Sequence, residues 1–214
     1  MTRCDYHELI EHYEACLAAY GDTHRGVDWP TAADAQTRYR VMLGVIDGAA
    51  EAGQRMSLLD FGCGAAHLYE HLLTVGRDDV DYAGLDASPR FVELCRRKFP
   101  DRPFTLCDAL ADDAPLPQAD FVVLNGVLTG KRGLSQEAML DYAERLLARA
   151  WGAARRGLAF NVMSDHVDWR RDDLFHLPYD AAAALVRRRL SRHFAFRADY
   201  GLYEYTTYVY REAR

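Results

Sequence analysis

Leu58-Leu59-Asp60-Phe61-Gly62-Cys63-Gly64-Ala65-Ala66 is the stretch that decides how this chain is read. Met56 to Phe61 is a short apolar run of the kind that forms a strand, and Ala65 to Leu73 can follow as helix. Between them, glycines allow a tight turn and close backbone approach, and the first amides of the helix point at the loop. Such a turn by itself marks only a nucleotide-like ligand. Cys63 admits two readings, a nucleophile or a small side chain filling the turn, and no basic partner adjoins it in sequence.

Working outward, strand and helix alternate. Tyr82 to Leu85, Phe104 to Cys107, Phe121 to Leu124 and Leu158 to Val162 are short strand-like runs. Ser88 caps a helix opening at Pro89, and Ser135 starts a long helix running to Trp151. Regular alternation of this type predicts a mostly parallel sheet covered on both faces. The end departs from it. After a helix over Tyr179 to Leu190, His193 to Tyr200 and Tyr203 to Tyr210 read as strands joined around Gly201-Leu202, so close that they must be antiparallel neighbours.

Three features narrow the ligand. The dinucleotide fingerprint wants a third glycine where this chain has His67. Asp60 stands before the glycines, where a carboxylate can order the loop or meet an ammonium but would repel a pyrophosphate. Asp86 closes the second strand, from which it can accept hydrogen bonds from both ribose hydroxyls. An acid before a helix start can also be an ordinary loop residue.

On these residues the chain resembles the class I S-adenosylmethionine (SAM)-dependent methyltransferases. Leu58 to Gly64 is similar to the family's first motif, and Gly84-Leu85-Asp86-Ala87-Ser88 to its second. Leu106-Cys107-Asp108-Ala109 resembles the third-strand motif, and Asp120 to Gly126 the fourth. The resemblance covers roughly residues 56–214 and implies an α/β fold: a Rossmann-like, seven-stranded, mostly parallel sheet with a C-terminal antiparallel hairpin. It implies SAM as cofactor, S-adenosylhomocysteine (SAH) as product, and cofactor contacts from Asp60, Gly62, Gly64, Asp86, Ala87, Asp108, Ala109 and Asn125. Residues 1–53 then form an N-terminal helical lid and 54–214 the SAM-binding core. Trp29, Gln36 and Arg38 resemble a pattern in small-molecule methyltransferases, which implies that Arg38 meets the cofactor carboxylate and Trp29 the substrate; a solvated helix arginine is the alternative.

For the acceptor side, Asn125, Asn161 and Tyr179 are candidate contacts, since Asn161 ends the fifth strand on the ligand-binding edge of the sheet. His166 and His176 lie in the long 162–178 loop and are the candidate general bases, although a lone loop histidine is more often merely exposed. Asn125-Gly126-Val127-Leu128 lacks the Asp/Asn-Pro-Pro-aromatic pattern of base N-methylation. The expected substrate is a small molecule of secondary-metabolite or carbohydrate type, methylated on O or N. The rivals are an NAD(P)-dependent oxidoreductase and a non-catalytic SAM-binding module.

Bulk properties agree. The net charge of -6 argues against nucleic acid as partner. No run of about 18 apolar residues exists to span a membrane, and Met1 to Ile10 lacks a signal-peptide core, which predicts a cytoplasmic protein. Cys4, Cys16, Cys63, Cys95 and Cys107 form no CxxC pair, so no metal is expected. Oligomeric state is not legible.

Overall fold

The computed structural model describes residues 6–47, 54–111 and 115–214; Cys4, Gly48, Gly53 and the expected boundary after residue 53 lie outside them. Two helices come first, α1 (His7–Tyr20) and α2 (Ala32–Leu43), with a 3₁₀ turn, His24–Val27, between them. Thr31 caps α2 by accepting the Asp34 N–H at 3.0 Å. Then follow β1 (Met56–Phe61), α3 (His67–Thr74), β2 (Val80–Asp86), α4 (Pro89–Lys98) and β3 (Phe104–Leu106). The second half comprises β4 (Ala119–Leu124), α5 (Gln136–Ala153), β5 (Ala154–Met163), α6 (Tyr179–Arg189), β6 (His193–Arg197) and β7 (Glu204–Tyr210).

One seven-stranded sheet runs in the order β3-β2-β1-β4-β5-β7-β6. All pairings from β3 to β5 are parallel, and β7 lies antiparallel between β5 and β6. The apolar runs are buried on both faces, which is why they read as continuous rather than alternating. On β4, Val122 and Leu124 pack towards Met139, Leu146 and Leu147 of α5, whereas Phe121 and Val123 pack towards Met42, Leu68 and Val92. Each such fully buried side chain contributes about 1.5–3 kcal/mol.

Several boundaries differ from the sequence reading: β2, β4 and β5 open earlier, β5 at Ala154, and two others bear on the loops. Helix α3 opens at His67 because Ala66 sits in the left-handed region at φ +58°, which an α-helix cannot include. Strand β6 stops at Arg197, and the turn into β7 occupies residues 198–203. The strand order reverses between β1 and β4, so the loops leaving their C-terminal ends open a crevice there. No helix among the described residues is long and apolar enough to cross a membrane.

Candidate active site

The glycine loop leaves β1 into this crevice. Gly62 and Gly64 have φ of +78° and +51°, and a Cβ on Gly62 would lie 2.5 Å from Cγ2 of Val127, in the loop after β4. Glycine there satisfies both the turn and the close approach of the second loop. Asp86, at the end of β2, fixes the arrangement: Oδ2 accepts the Gly64 N–H at 2.8 Å and Oδ1 the Ser88 N–H at 2.8 Å. Burial pushes its carboxyl above the usual range against the pull of these backbone donors. The Ala87 backbone N–H also bears on this carboxylate, which leaves it one further lone-pair position. The hydrogen bond with Cys95, together with burial, pushes the Cys63 thiol well above its ordinary value, so it fills the turn and offers no thiolate.

Asp60 is buried and accepts the Tyr82 hydroxyl at 2.8 Å. Burial pushes its carboxyl up to about 7, aided by the nearby charge of Asp86 and opposed by the Tyr82 hydrogen bond. Asp60, Gly62, Gly64, Asp86, Ala87 and Asn125 all line one chamber. Oδ1 of Asn125 is buried there with no hydrogen-bond partner among the described residues. Asp108 and Ala109 stand outside that lining: Asp108 accepts the Tyr6 hydroxyl at 2.8 Å, and the Ala109 carbonyl accepts Arg149 Nε at 2.9 Å.

A second chamber of about 600 Å³ adjoins the first, and Tyr13, Val27 and Trp29 line both. Trp29 packs over the loop after β4, since a Cβ on Gly126 would lie 2.5 Å from its ring. Arg38 stacks on Trp29 with its guanidinium carbon 4.0 Å from the ring centre, and it lines only the second chamber. Its Nε and Nη2 donate to Oε2 of Glu204 at 2.9 and 2.8 Å. Oε1 of Glu204 accepts Asn161 Nδ2 at 3.0 Å, and Asn161 Oδ1 accepts the Gly126 N–H at 2.7 Å. The side chain of Asn161 is therefore committed to holding the loop after β4.

The two histidines differ. His176 is buried on the wall of the second chamber, where Nδ1 donates to the Ser164 carbonyl at 2.6 Å and Nε2 accepts the Arg171 N–H at 3.3 Å. These partners demand the neutral ring and leave no nitrogen for a substrate proton. His166 is 77% exposed in its side chain and meets the edge of Tyr179 at 5.6 Å. Tyr179 itself stacks on Tyr205 at 4.3 Å and lines neither chamber. Burial pushes Tyr13 up to about 12, so its hydroxyl is a donor, to the Gly126 carbonyl at 3.3 Å, and not a base. His12, Cys16 and Asp28 converge, but the Arg132 guanidinium contacts both His12 and Asp28 and already supplies the cluster with a cation.

Several of these residues escaped the sequence reading: Glu204, Tyr13, the Asp28–Arg132 pair, and Glu14, which accepts the Ser88 hydroxyl at 2.5 Å. Only Glu204 gave a signal, as an acid opening an otherwise uncharged strand.

Comparison with known proteins decides the family. The methyltransferase-domain family matches residues 59–157. "Putative methyltransferase Rv1506c" of Mycobacterium tuberculosis is 32% identical over 162 residues, 74% of this chain and 95% of its own. The chain belongs to the class I SAM-dependent methyltransferases. Solved structures of this fold agree. The magnesium protoporphyrin IX methyltransferase of Synechocystis PCC 6803, with bound SAM, superposes with a TM-score of 0.65 at 13% identity, covering 99% of this chain and 100% of that one. Human N-acetylserotonin methyltransferase in complex with SAM gives 0.63 at 16% identity, covering 98% of this chain and 58% of that one.

The first chamber of this methyltransferase suits that cofactor. SAM brings hydroxyl and ammonium donors, and the chamber presents acceptors: the orphaned Asn125 Oδ1, the unused lone pair of Asp86, and Asp60. When bound, SAM supplies an electrophilic methyl group on a sulfonium sulfur.

Proposed function

We propose that this methyltransferase acts on a small-molecule acceptor seated in the second chamber, by O- or N-methylation. The observation that carries this reading is that two chambers adjoin at Tyr13, Val27 and Trp29, so a cofactor in one and an acceptor in the other are in reach of each other. Asp86 takes a ribose hydroxyl, the Gly62–Gly64 backbone and Ala87 border the cofactor, Asp60 and Asn125 face its methionyl end, and Asp108-Ala109 its adenine end. Trp29 closes the acceptor side, and Asn161 supports that wall by holding the Gly126 N–H, whereas Tyr179 is engaged by Tyr205 and lines neither chamber.

Methyl transfer needs nucleophile, methyl carbon and sulfur in line, and positioning with exclusion of water supplies much of the rate. In this reading α1 and its flanking residues are the moving part of the lid, whereas α2 packs Met42 into the core. Polar contacts hold them down: Tyr6 to Asp108 at 2.8 Å, Glu14 to Ser88 at 2.5 Å, and Asp22 to His67 at 2.8 Å and Lys98 at 2.9 Å. Such contacts are individually weak and suit a cover that must open.

Incubating the protein with methyl-labelled SAM and an extract of a producing cell, read by mass spectrometry, is expected to label one small molecule. Label found only on protein or nucleic acid, or nowhere, overturns the small-molecule reading.

Asp60 gives the cofactor assignment a pH signature. With its carboxyl raised to about 7, most of the free protein carries Asp60 protonated near pH 6. An ammonium beside it favours the carboxylate, so binding expels a proton. SAH affinity is therefore expected to climb as pH rises towards about 7, by at most about tenfold per unit, and to level off above. Titrations between about pH 5.5 and 7 stay below the range in which an α-amino group loses its own proton. Asp60→Asn is expected to flatten the slope; a flat profile in the unmodified protein contradicts the pairing of Asp60 with the ammonium.

A further inference from the structure

The second chamber holds chemistry that methyl transfer itself does not require. Among the described residues, the exposed large aromatic side chains are Tyr20, Trp169 and Tyr203, and all three line this chamber. Trp169 is 66% exposed and lies 5.9 Å from the Tyr203 ring. Apolar rings left in water and gathered at one opening mark a place that a ligand covers.

The polar lining is uneven in what it leaves free. Asp28 and Asp173 are held by Arg132 and Arg171, and Asp168 accepts the Tyr203 hydroxyl at 2.7 Å. Asp34 is the lining carboxylate to which no such contact falls among the described residues. A sugar would find acceptors on Asp34 and on the lone pairs that Asp28 and Asp168 keep, so what sets the chamber apart lies with its cations. The cations are better placed. Arg25 stacks on Tyr20 at 3.9 Å. Arg38 is only 7% exposed, and while Nε and Nη2 are fixed on Glu204, its Nη1 is buried without a partner among the described residues. A buried guanidinium N–H with no acceptor is costly, and native structures rarely leave one. Held by Glu204 and stacked on Trp29, this nitrogen is fixed before anything binds.

We propose that the chamber takes a flat aromatic oxyanion, a phenolate or aryl carboxylate, with its charged oxygen on Arg38 Nη1 and its ring covered by Trp169 and Tyr203. This rests on the acceptor reading of the second chamber given above. It assigns the free nitrogen of Arg38 to the acceptor and not to the cofactor carboxylate, in keeping with its place on the wall of the second chamber alone.

Saturation-transfer NMR on the SAH-saturated full chain tests it, with three probes: naphthoate, naphthylmethylamine and methyl glucoside. Naphthoate is expected to bind at least tenfold more tightly than either of the others. Arg38→Lys keeps a charge for Glu204 but loses the planar fork that fixes Nη1 in place, and should weaken naphthoate about tenfold while SAH affinity stays within about twofold. Trp169→Ala, at an exposed position that folding does not depend on, should weaken naphthoate several-fold and keeps the test open if Arg38→Lys folds poorly. Preference for the amine or the glucoside overturns the proposal. So does loss of SAH affinity in folded Arg38→Lys with naphthoate unaffected, which would give Nη1 to the cofactor. Failure of the unmodified protein to bind SAH would instead strike at the cofactor site, before any acceptor is considered.

Discussion

Asp86→Ala is expected to lower affinity for SAH by about a hundredfold or more, measured by titration calorimetry, while the protein still unfolds cooperatively. One carboxylate ties the glycine loop, through Gly64, to the start of α4, through Ser88, each at 2.8 Å. Hydrogen bonds to a charged acceptor are worth about 1.5–3 kcal/mol each. Losing two of them frees the loop from the shape that the cofactor meets, and 3 kcal/mol is already more than a hundredfold in affinity. A ribose hydroxyl on the remaining lone-pair position would add to the loss. Stability should fall by less than affinity, because the charge that Asp86 keeps buried is itself unfavourable, as its raised pKa shows. Asp86→Asn preserves the shape but turns an NH₂ group towards one of the two backbone donors, so an intermediate loss is expected. Unchanged SAH affinity in Asp86→Ala refutes both the ribose contact and the ordering role.

The fold was legible because its signals are local. Unbroken apolar runs such as Phe121–Leu124 are what a strand buried on two faces requires, and Ser88 and Ser135 do cap their helices, accepting from Phe91 and Ala138 at 3.3 and 3.1 Å. The few residues between β6 and β7 left only an antiparallel pairing. The glycine loop was legible for the same reason: its turn, its acids and its helix are neighbours in sequence. The acceptor side was not, because its side chains find partners far along the chain. Arg38 looked free for the cofactor until Glu204, 166 residues away, took two of its nitrogens. Asn161 looked like an open ligand contact, yet both ends of its amide are engaged, by Gly126 and by Glu204. His176 looked like a base, yet two backbone groups hold its ring. A residue type announces what it can bind; only the fold decides what it does bind.

Glu204→Ala is the substitution expected to cost the most stability, about 3–5 kcal/mol, because it leaves a charge buried without its counter-ion. Glu204 is 2% exposed, and its two oxygens serve Arg38 on one side and Asn161 on the other. Without it the Arg38 guanidinium keeps only the face of Trp29, and the Asn161 amide loses the acceptor that orients it. For a chain of this length the loss corresponds to a fall in Tm on the order of 10 °C, and urea unfolding should show a matching shift in midpoint. The effect should reach the cofactor as well, since Asn161 holds the Gly126 N–H and, through it, the loop that presents Asn125 to the first chamber. The pair can be separated from simple loss of packing by a double replacement. Arg38→Met with Glu204→Leu removes both charges at similar volume and is expected to regain most of the stability that either single change loses. SAH binding should recover with it only in so far as Asn161 still points at Gly126. If Glu204→Ala unfolds at the same denaturant concentration as the unmodified protein, the buried pair does not form and the wall of the second chamber is built some other way.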